Sequence, residues 1–366
     1  MKIHFLALDG LRGVASLAVV ISHVTAYTAG ETALSHAFLA VDFFFVLSGF
    51  VIAHAYEQRL LSDMRLGQFA KLRIVRLWPL IIAGLALGAF YLAVKDHLRP
   101  GEAVGASYIA TAFAFGLILF PLNTVVGTQG YPLDPPCWSL FFEVAANGLY
   151  ALLCRLRLIS QAVLVTIIAC SLLGLIAESR FKVWDSPLNV PNRLALFLSF
   201  LEGFSRVGFG FFVGVLLYRH RNNKVLLRIP ALHPGIASVL LLALFAAPPF
   251  STNAYDLVVG ALVLPSIVAA SVHYQPRGRG DTLCRFSGWL SYPLYVVHYP
   301  LLFSIAGVAK IIGGSGRMPV ALIQAVSILS CLVFAFFIGK FYDEPAREWL
   351  GKVVRARFSG LHVPGG

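Results

Sequence analysis

Long apolar runs succeed one another along the chain and constrain its fold more than any other feature. Each run approaches the length of about 20 residues that a helix needs to cross a bilayer. Apolar residues make up 58% of the 366 residues and charged residues 13%, whereas about 25% of a soluble domain is charged. The sequence therefore predicts an all-α membrane protein and excludes a soluble enzyme. The runs fall at 10–28, 37–56, 78–95, 106–122, 137–154, 160–177, 200–218, 231–248, 254–272, 288–308 and 319–341.

Lys and Arg in the loops indicate how these runs cross, because cytoplasmic loops are rich in both residues. If run 106–122 crosses the bilayer, the basic loops that follow it fall outside. If that run is re-entrant or lies on the surface, 21 Lys and Arg fall in cytoplasmic segments and 7 fall outside. We therefore predict a bundle of about ten transmembrane helices plus one re-entrant or surface segment, with N- and C-termini cytoplasmic.

This topology accounts for the net charge of +12 without a nucleic-acid partner. The predicted organisation is one transmembrane domain over 1–345, followed by a short basic cytoplasmic tail over 346–366. No metal site is expected, because no two histidines stand at ligand spacing on one helix beside a carboxylate.

The first apolar run carries ionisable side chains on one helical face. At 100° per residue, Arg12, Ser16 and His23 fall within about 60° of Asp9. An ionisable group inside a bilayer is costly and marks a functional candidate. This face predicts a polar path that rises about 16 Å from Arg12 to His23. The alternative is a buried histidine bonded to a neighbouring helix.

A second polar face lies in the run CWSLFFEVAANGLY, where Ser139, Glu143, Asn147 and Tyr150 share one side. A carboxylate in mid-span needs a partner or a proton. We expect His23 to be the partner of Glu143, and a purely structural carboxylate is the alternative.

A third polar face combines Ser291, Tyr295 and His298. A structural and a functional role stay open for His298, and both also stay open for Asp42 in the run VDFFFVLSGFVIAH. Three further intramembrane charges are expected to pair with one another: Glu202, Arg206 and Asp256.

Basic residues precede the third run in the segment QFAKLRIVRLWPL. Arg73 and Arg76 are three residues apart and share a helical face, with Lys71 beside them. Guanidinium groups suit phosphate oxygens, so the pair is a candidate site for a phosphorylated cosubstrate. An anchor on anionic lipid headgroups is the alternative.

Taken together, these segments resemble the acyltransferase 3 family of bacterial membrane O-acyltransferases, in order and over nearly the whole chain. The segments are LDGLRGVASLAVVISH, VDFFFVLSGFVI, FAKLRIVRLWPL, CWSLFFE, SGWLSYPLYVVHYPL and FYDEPARE. The residues that match the family's motifs are Arg12 and His23, Arg73 and Arg76, Trp138, Ser139, Leu140 and Glu143, and Ser291, Tyr292, Tyr295 and His298.

The resemblance implies transfer of an acyl group, commonly acetyl, from acyl-CoA at the cytoplasmic side of the bacterial inner membrane. The implied acceptor is a hydroxyl of a cell-envelope glycan, a lipid-linked sugar or a secondary metabolite. Acyl-CoA (acetyl-CoA) would be a cosubstrate, membrane lipids would surround the protein, and no tightly bound cofactor is expected. The competing function is a transporter or flippase without transferase activity, since a transport path also needs intramembrane charges.

The resemblance also implies roles for the candidate residues. His23 would act as general base or carry the acyl group transiently, and both mechanisms stay open. The catalytic candidates are His23, Glu143 and Arg12. The candidates for binding acyl-CoA are Lys71, Arg73 and Arg76. The candidates for binding the acceptor are Trp138, Ser139, Tyr295, His298 and Asp42.

Overall fold

The computed structural model describes residues 4–124, 130–178, 193–224, 226–248, 253–312 and 319–357. Every regular element in these ranges is helical, as the all-α prediction requires. The predicted tail begins inside the last helix, and its residues 358–366 lie outside the described ranges. The helices are α1 (Leu6–Ala29), α2 (Leu39–Ser62), α3 (Leu66–Leu98), α4 (Ala106–Leu117), α5 (Cys137–Arg155), α6 (Gln161–Glu178), α7 (Arg193–His220), α8 (Pro234–Phe245), α9 (Ala254–Val258), α10 (Leu264–Ser271), α11 (Arg279–Ile312), α12 (Val320–Ile338) and α13 (Glu344–Arg357).

Helix length and composition support a multi-pass membrane protein. Within the described ranges, seven helical stretches are long and apolar enough to cross a membrane, and α4, α6 and α8 are shorter apolar helices. Helix α4 has 12 residues, which span about 18 Å, less than the hydrocarbon core of about 30 Å. Helix α8, whose run 231–248 is predicted to cross, also has 12 residues, so helix length does not decide which segment fails to cross. The count of about ten crossings and the orientation of the termini stay predictions.

Two helix pairs form the centre of the bundle, α1 with α11 and α2 with α7. Glycine permits the close approach in each pair. A Cβ atom on Gly13 of α1 would lie 1.9 Å from Ser287 Oγ of α11. A Cβ atom on Gly49 of α2 would lie 1.8 Å from the backbone oxygen of Phe211 in α7. Small residues at such contacts let helix backbones meet inside a membrane.

Helix α11 carries two internal prolines, Pro293 and Pro300. Proline has no backbone N–H and interrupts the hydrogen-bond ladder of the turn before it. Tyr295 and His298 lie between the two prolines, in the part of α11 that faces α1. Two residues of the third predicted polar face thus lie where α11, which is helical throughout, has fewer backbone hydrogen bonds.

Candidate active site

A cavity of about 180 Å³ lies between α1, α2, α3, α5 and α11. We call it the arginine cavity, because Arg12, Arg73 and Arg76 all contribute to its wall. All five motif segments that carry predicted site residues contribute to this wall. The other polar residues in the wall are Asp9, Ser48, Ser139, Glu143, Ser291, Tyr292 and Tyr295.

Arg12 lines the cavity and at the same time ties α1 to α11. Its Nε donates to Ser291 Oγ at 2.8 Å and its Nη2 donates to the Gly288 carbonyl at 2.6 Å. The Arg12 side chain is 30% exposed and that of Asp9 is 23% exposed. The cavity therefore reaches the protein surface at its Arg12 end.

Arg73 and Glu143 form an ion pair in the wall of the cavity. Arg73 Nη2 lies 3.3 Å from Glu143 Oε1, and Ser48 donates a hydrogen bond of 2.8 Å to the same oxygen. The Nε of Arg73 is buried and has no hydrogen-bond partner among the residues that the structure describes. Glu143 thus satisfies only part of the Arg73 guanidinium.

Arg76 lines the same cavity. Within the described ranges no hydrogen bond or ion pair of contact distance joins its side chain to another residue, although Asp343 and Arg347 interact with it electrostatically. Three arginines and the two carboxylates of Asp9 and Glu143 give the cavity wall a formal charge of one positive unit. A positively charged cavity wall with guanidinium groups favours an anionic ligand.

Ser139 and Tyr295 line the inner end of the cavity, which is the end nearest His298. Both side chains are buried, and their hydroxyl oxygens lie 2.7 Å apart. Ser139 Oγ also donates to the Pro136 carbonyl at 3.0 Å, so the Tyr295 hydroxyl donates to Ser139. Phe44 packs edge-on against the Tyr295 ring, with centroids 5.5 Å apart.

A pair of histidines lies beyond this inner end. His23 Nδ1 is 2.8 Å from His298 Nε2, and the His298 ring lies 6.0 Å from the Tyr295 ring. His23 is partly exposed, whereas His298 is fully buried. Neither histidine is part of the cavity wall itself.

The expected contact between Glu143 and His23 is therefore not formed. Glu143 binds Arg73 and Ser48, while His23 binds His298. The helical period placed each residue on a polar face, but the neighbour of that face depends on how five helices assemble. The alternative of a histidine bonded to a neighbouring helix describes the observed contact.

Asp42 lies in a buried ion pair away from the arginine cavity. Its carboxylate accepts from Arg206 Nε at 3.0 Å and from Arg206 Nη2 at 2.7 Å. Glu202 lies 3.9 Å from Arg206, as the sequence predicted. Asp256 instead pairs with His36, at 2.5 Å. The indole of Trp138 lies under the Arg206 guanidinium, 5.4 Å from it, so this tryptophan supports the ion pair.

Other residues differ from the sequence-based expectation in their position. Lys71 is half-buried on α3 and does not contribute to the cavity wall. Ser48 lines the cavity and donates to Glu143, and no site role was predicted for it. Tyr292 lines the cavity and donates to the Leu77 carbonyl at 2.8 Å. Both residues belong to segments that match the family's motifs, and this membership is the signal that could have identified them.

The C-terminal motif FYDEPARE also approaches α3, since α13 packs against that helix. Arg347 Nη2 lies 2.8 Å from Asp343 Oδ2. The spacing of four residues fits an ion pair on one helical face. The motif contributes to the family resemblance, and neither residue was predicted to have a role in the site.

Comparisons with known proteins support one family. A family model described as an acyltransferase domain matches residues 5–340. The chain is 36% identical over 192 residues to Protein 2 in picA locus of Rhizobium radiobacter, which covers 48% of this chain and 96% of that protein. It is 24% identical over 359 residues to peptidoglycan O-acetyltransferase OatA of Listeria monocytogenes, which covers 90% of this chain and 54% of that protein.

The chain thus spans about half the length of OatA. No solved structure matches the chain significantly. The family model, by contrast, covers the whole bundle from α1 to α12. The chain belongs to the acyltransferase 3 family, and the prediction that it is an acyltransferase is confirmed.

Proposed function

We propose that the protein is a membrane O-acyltransferase that moves an acyl group, commonly acetyl, from acyl-CoA on the cytoplasmic side to a hydroxyl of a cell-envelope glycan or a related acceptor. The observation that carries this proposal is the convergence of Arg12, Arg73 and Arg76 on one cavity whose inner end adjoins a pair of imidazoles. The relative OatA bears the name of a peptidoglycan O-acetyltransferase, which supports a glycan acceptor.

The phosphates of acyl-CoA would bind at the arginine end of the cavity. Arginine forks pair with phosphate oxygens through two parallel hydrogen bonds. At about 180 Å³ the cavity is smaller than the 300 Å³ or more typical of a site that encloses a drug-sized ligand. It therefore suits the narrow pantetheine arm, with the nucleotide end held at the partly exposed Arg12 mouth.

The arm would carry the thioester past Ser139 and Tyr295 toward His23. In one mechanism His23 takes the proton of the acceptor hydroxyl while the hydroxyl oxygen attacks the thioester carbonyl. The C–O bond forms, the C–S bond breaks and the proton passes to the departing thiolate. In the other mechanism a ring nitrogen of His23 attacks the thioester carbonyl, the C–N bond forms and the C–S bond breaks, and the ring proton passes to the thiolate so that CoA leaves as the thiol. The acceptor hydroxyl then attacks the acyl-imidazole, the C–O bond forms as the C–N bond breaks, and the hydroxyl proton returns to the ring. Histidine suits either role.

Glu143 would serve the donor site in this proposal. It balances part of the charge of Arg73 and fixes that guanidinium at the cavity wall through the contact at 3.3 Å. Asp42 would stabilise the bundle through Arg206, at the α2–α7 contact that forms the neighbouring wall.

The test is acetyl-CoA turnover by purified protein in detergent, where no transmembrane gradient exists. We expect CoA release and acyl transfer to a supplied glycan hydroxyl, because a transferase needs no gradient. Replacing His23 by Ala should lower the rate by about 10² to 10⁴-fold. His273→Ala in the α10–α11 loop is the matched control and should retain the rate. A purified protein that neither cleaves acetyl-CoA nor transfers the acyl group would favour a transporter or flippase.

Sidedness is tested separately in sealed proteoliposomes of known orientation. Acetyl-CoA does not cross the bilayer, so turnover should require it on the side that carries the basic α13 terminus. Turnover supported only from the opposite side would contradict the cytoplasmic donor site.

A further inference from the structure

We propose that His298 is a positioning residue that holds His23 in the tautomer whose Nε2 is free to accept a proton or attack an acyl carbon. This inference rests on the proposed function, because it takes His23 as the reacting imidazole. His298 itself does not line the donor cavity. The inference is carried by the hydrogen bonds on both nitrogens of the His298 ring.

The backbone of α11 determines which His298 nitrogen carries the hydrogen. His298 Nδ1 lies 2.7 Å from the Tyr295 carbonyl and 3.2 Å from the Leu294 carbonyl. A carbonyl oxygen can only accept, so the hydrogen is on Nδ1. In the neutral ring Nε2 then carries a lone pair and is an acceptor.

The acceptor nitrogen of His298, Nε2, in turn determines the tautomer of His23. His298 Nε2 lies 2.8 Å from His23 Nδ1, so His23 must donate from Nδ1. Its Nε2 is then unprotonated in the neutral ring, which is the form that a general base or a nucleophile requires. The backbone carbonyls therefore determine the tautomer of His298, and His298 determines the tautomer of the reacting ring, His23.

Ring geometry supports a directed hydrogen bond. The two ring planes differ by 5° and the centroids lie 5.1 Å apart. Parallel five-membered rings with nitrogens 2.8 Å apart reach that centroid separation only when the contact runs close to the ring planes. The lone pair of one nitrogen, which lies in the ring plane, then faces the N–H of the other.

Burial separates the roles of the two histidines. His298 is 0% exposed, so no substrate reaches it without a rearrangement, whereas His23 is partly exposed. A charged His298 would reverse the hydrogen bond and place a hydrogen on His23 Nε2. Such a buried cation, with none of its described hydrogen-bond partners a carboxylate, is costly. The neutral relay is the arrangement that the surroundings favour.

Tyr299 of α11 restricts rotation of the His23 ring. It packs edge-on against His23 with centroids 4.9 Å apart. The hydrogen bond to His298 and this aromatic contact together orient His23.

The experiment compares His298→Ala with His298→Gln in detergent-purified protein. Gln can place a carbonyl oxygen near the former Nε2 and still accept from His23 Nδ1, whereas Ala leaves His23 without an acceptor. We expect His298→Ala to lower kcat by about 10² to 10⁴-fold, in line with the loss of a tautomer-fixing partner in other histidine-dependent enzymes. His298→Gln should recover kcat to within about 10-fold of the wild-type value.

The KM for acetyl-CoA should stay unchanged in both variants, because the donor phosphates bind at the arginine cavity. A merely structural role for His298 would lower the amount of folded protein or shift kcat equally in both variants. Thermal unfolding and size-exclusion profiles establish that the compared samples are folded, and His273→Gln is the matched control. Equal kcat losses for His298→Ala and His298→Gln, or an unchanged kcat for His298→Ala, overturn the inference.

A second readout does not depend on turnover. Nitrogen-15 spectra of histidine-labelled protein, with the His23 signals identified from a His23→Gln sample, report which ring nitrogen carries the hydrogen. We expect Nδ1–H in the wild type and a shift to Nε2–H in His298→Ala. A wild-type His23 with the hydrogen on Nε2 overturns the inference. Absence of wild-type acetyl-CoA turnover overturns the proposed function instead, and the spectra then still decide the tautomer.

Discussion

Replacing Asp42 by Asn should destabilise the bundle through the charge that it leaves on Arg206. The Arg206 side chain is 0% exposed and receives two contacts from Asp42, at 3.0 and 2.7 Å. Removing one partner of a buried ion pair costs about 3 to 5 kcal/mol. Glu202 remains 3.9 Å away, and the introduced amide still accepts one hydrogen bond. We therefore expect the lower end of this range, about 3 kcal/mol.

Thermal unfolding of purified protein measures this cost. A loss of about 3 kcal/mol should lower the midpoint by about 5 °C or more. The triple variant Asp42→Asn, Glu202→Gln and Arg206→Gln should recover part of the loss, because all three charges of the buried cluster are then removed together. Asp281→Asn is the matched control, since its ion pair with Arg285 is exposed and such pairs contribute at most about 1 kcal/mol.

An Asp42→Asn variant that unfolds at the wild-type midpoint would contradict a stabilising role of this ion pair. A variant of wild-type stability that fails to transfer to the glycan, with unchanged acetyl-CoA dependence, would instead assign Asp42 to the acceptor site. The triple variant distinguishes the outcomes, because a stabilising ion pair predicts recovery of the midpoint and an acceptor ligand does not.

Two further changes test the donor cavity and the helix packing. Replacing Glu143 by Gln removes a negative charge from the cavity and keeps an acceptor for Arg73. We therefore expect CoA to bind up to about 10-fold more tightly in a calorimetric titration. Weaker binding would show that the carboxylate is needed to hold the arginine in place. Replacing Gly49 by Ala places a Cβ atom 1.8 Å from the Phe211 backbone oxygen, so we expect it to lower the free energy of unfolding by about 1 to 3 kcal/mol, measured by thermal unfolding. The control Gly148→Ala, with nothing within 4 Å of its Cβ, should be neutral or stabilising. Equal midpoints for the two variants would contradict the observed α2–α7 contact.

The sequence predicts the helices well because apolar runs of span length have one structural solution in a bilayer. Run 137–154 corresponds to α5 (Cys137–Arg155), and run 106–122 contains α4 (Ala106–Leu117). Helix α11 (Arg279–Ile312) begins well before its apolar run, because charged residues at the predicted cytoplasmic end continue the helix beyond the hydrocarbon.

The sequence predicts which residues form the candidate site but not which of them contact one another. Helical periodicity shows that Arg12 and His23 share a face, and the face does meet the polar face of α11 through Arg12 and Ser291. Periodicity cannot show which helix stands opposite, since that depends on contacts across hundreds of residues. The partner of His23 is 275 residues away, and Glu143 finds Arg73 instead.

Pairing of buried charges was predicted with similar limits. The need for a partner follows from the cost of burying a charge, and Arg206 does pair with acidic residues. The sequence does not show which acid pairs with Arg206. The close α2–α7 contact brings Asp42 to Arg206, whereas Asp256 pairs with His36.

The central claim, that the arginine cavity binds the phosphates of acyl-CoA, is tested most directly by calorimetric titration of the purified protein. We expect CoA to bind and pantetheine, which lacks the phosphates, to bind far more weakly. Arg76→Gln should weaken CoA binding by about 2 kcal/mol, roughly 30-fold, while the exposed control Arg157→Gln stays near the wild-type affinity. Pantetheine binding as tight as that of CoA, or an Arg76→Gln variant with wild-type affinity, would contradict the account.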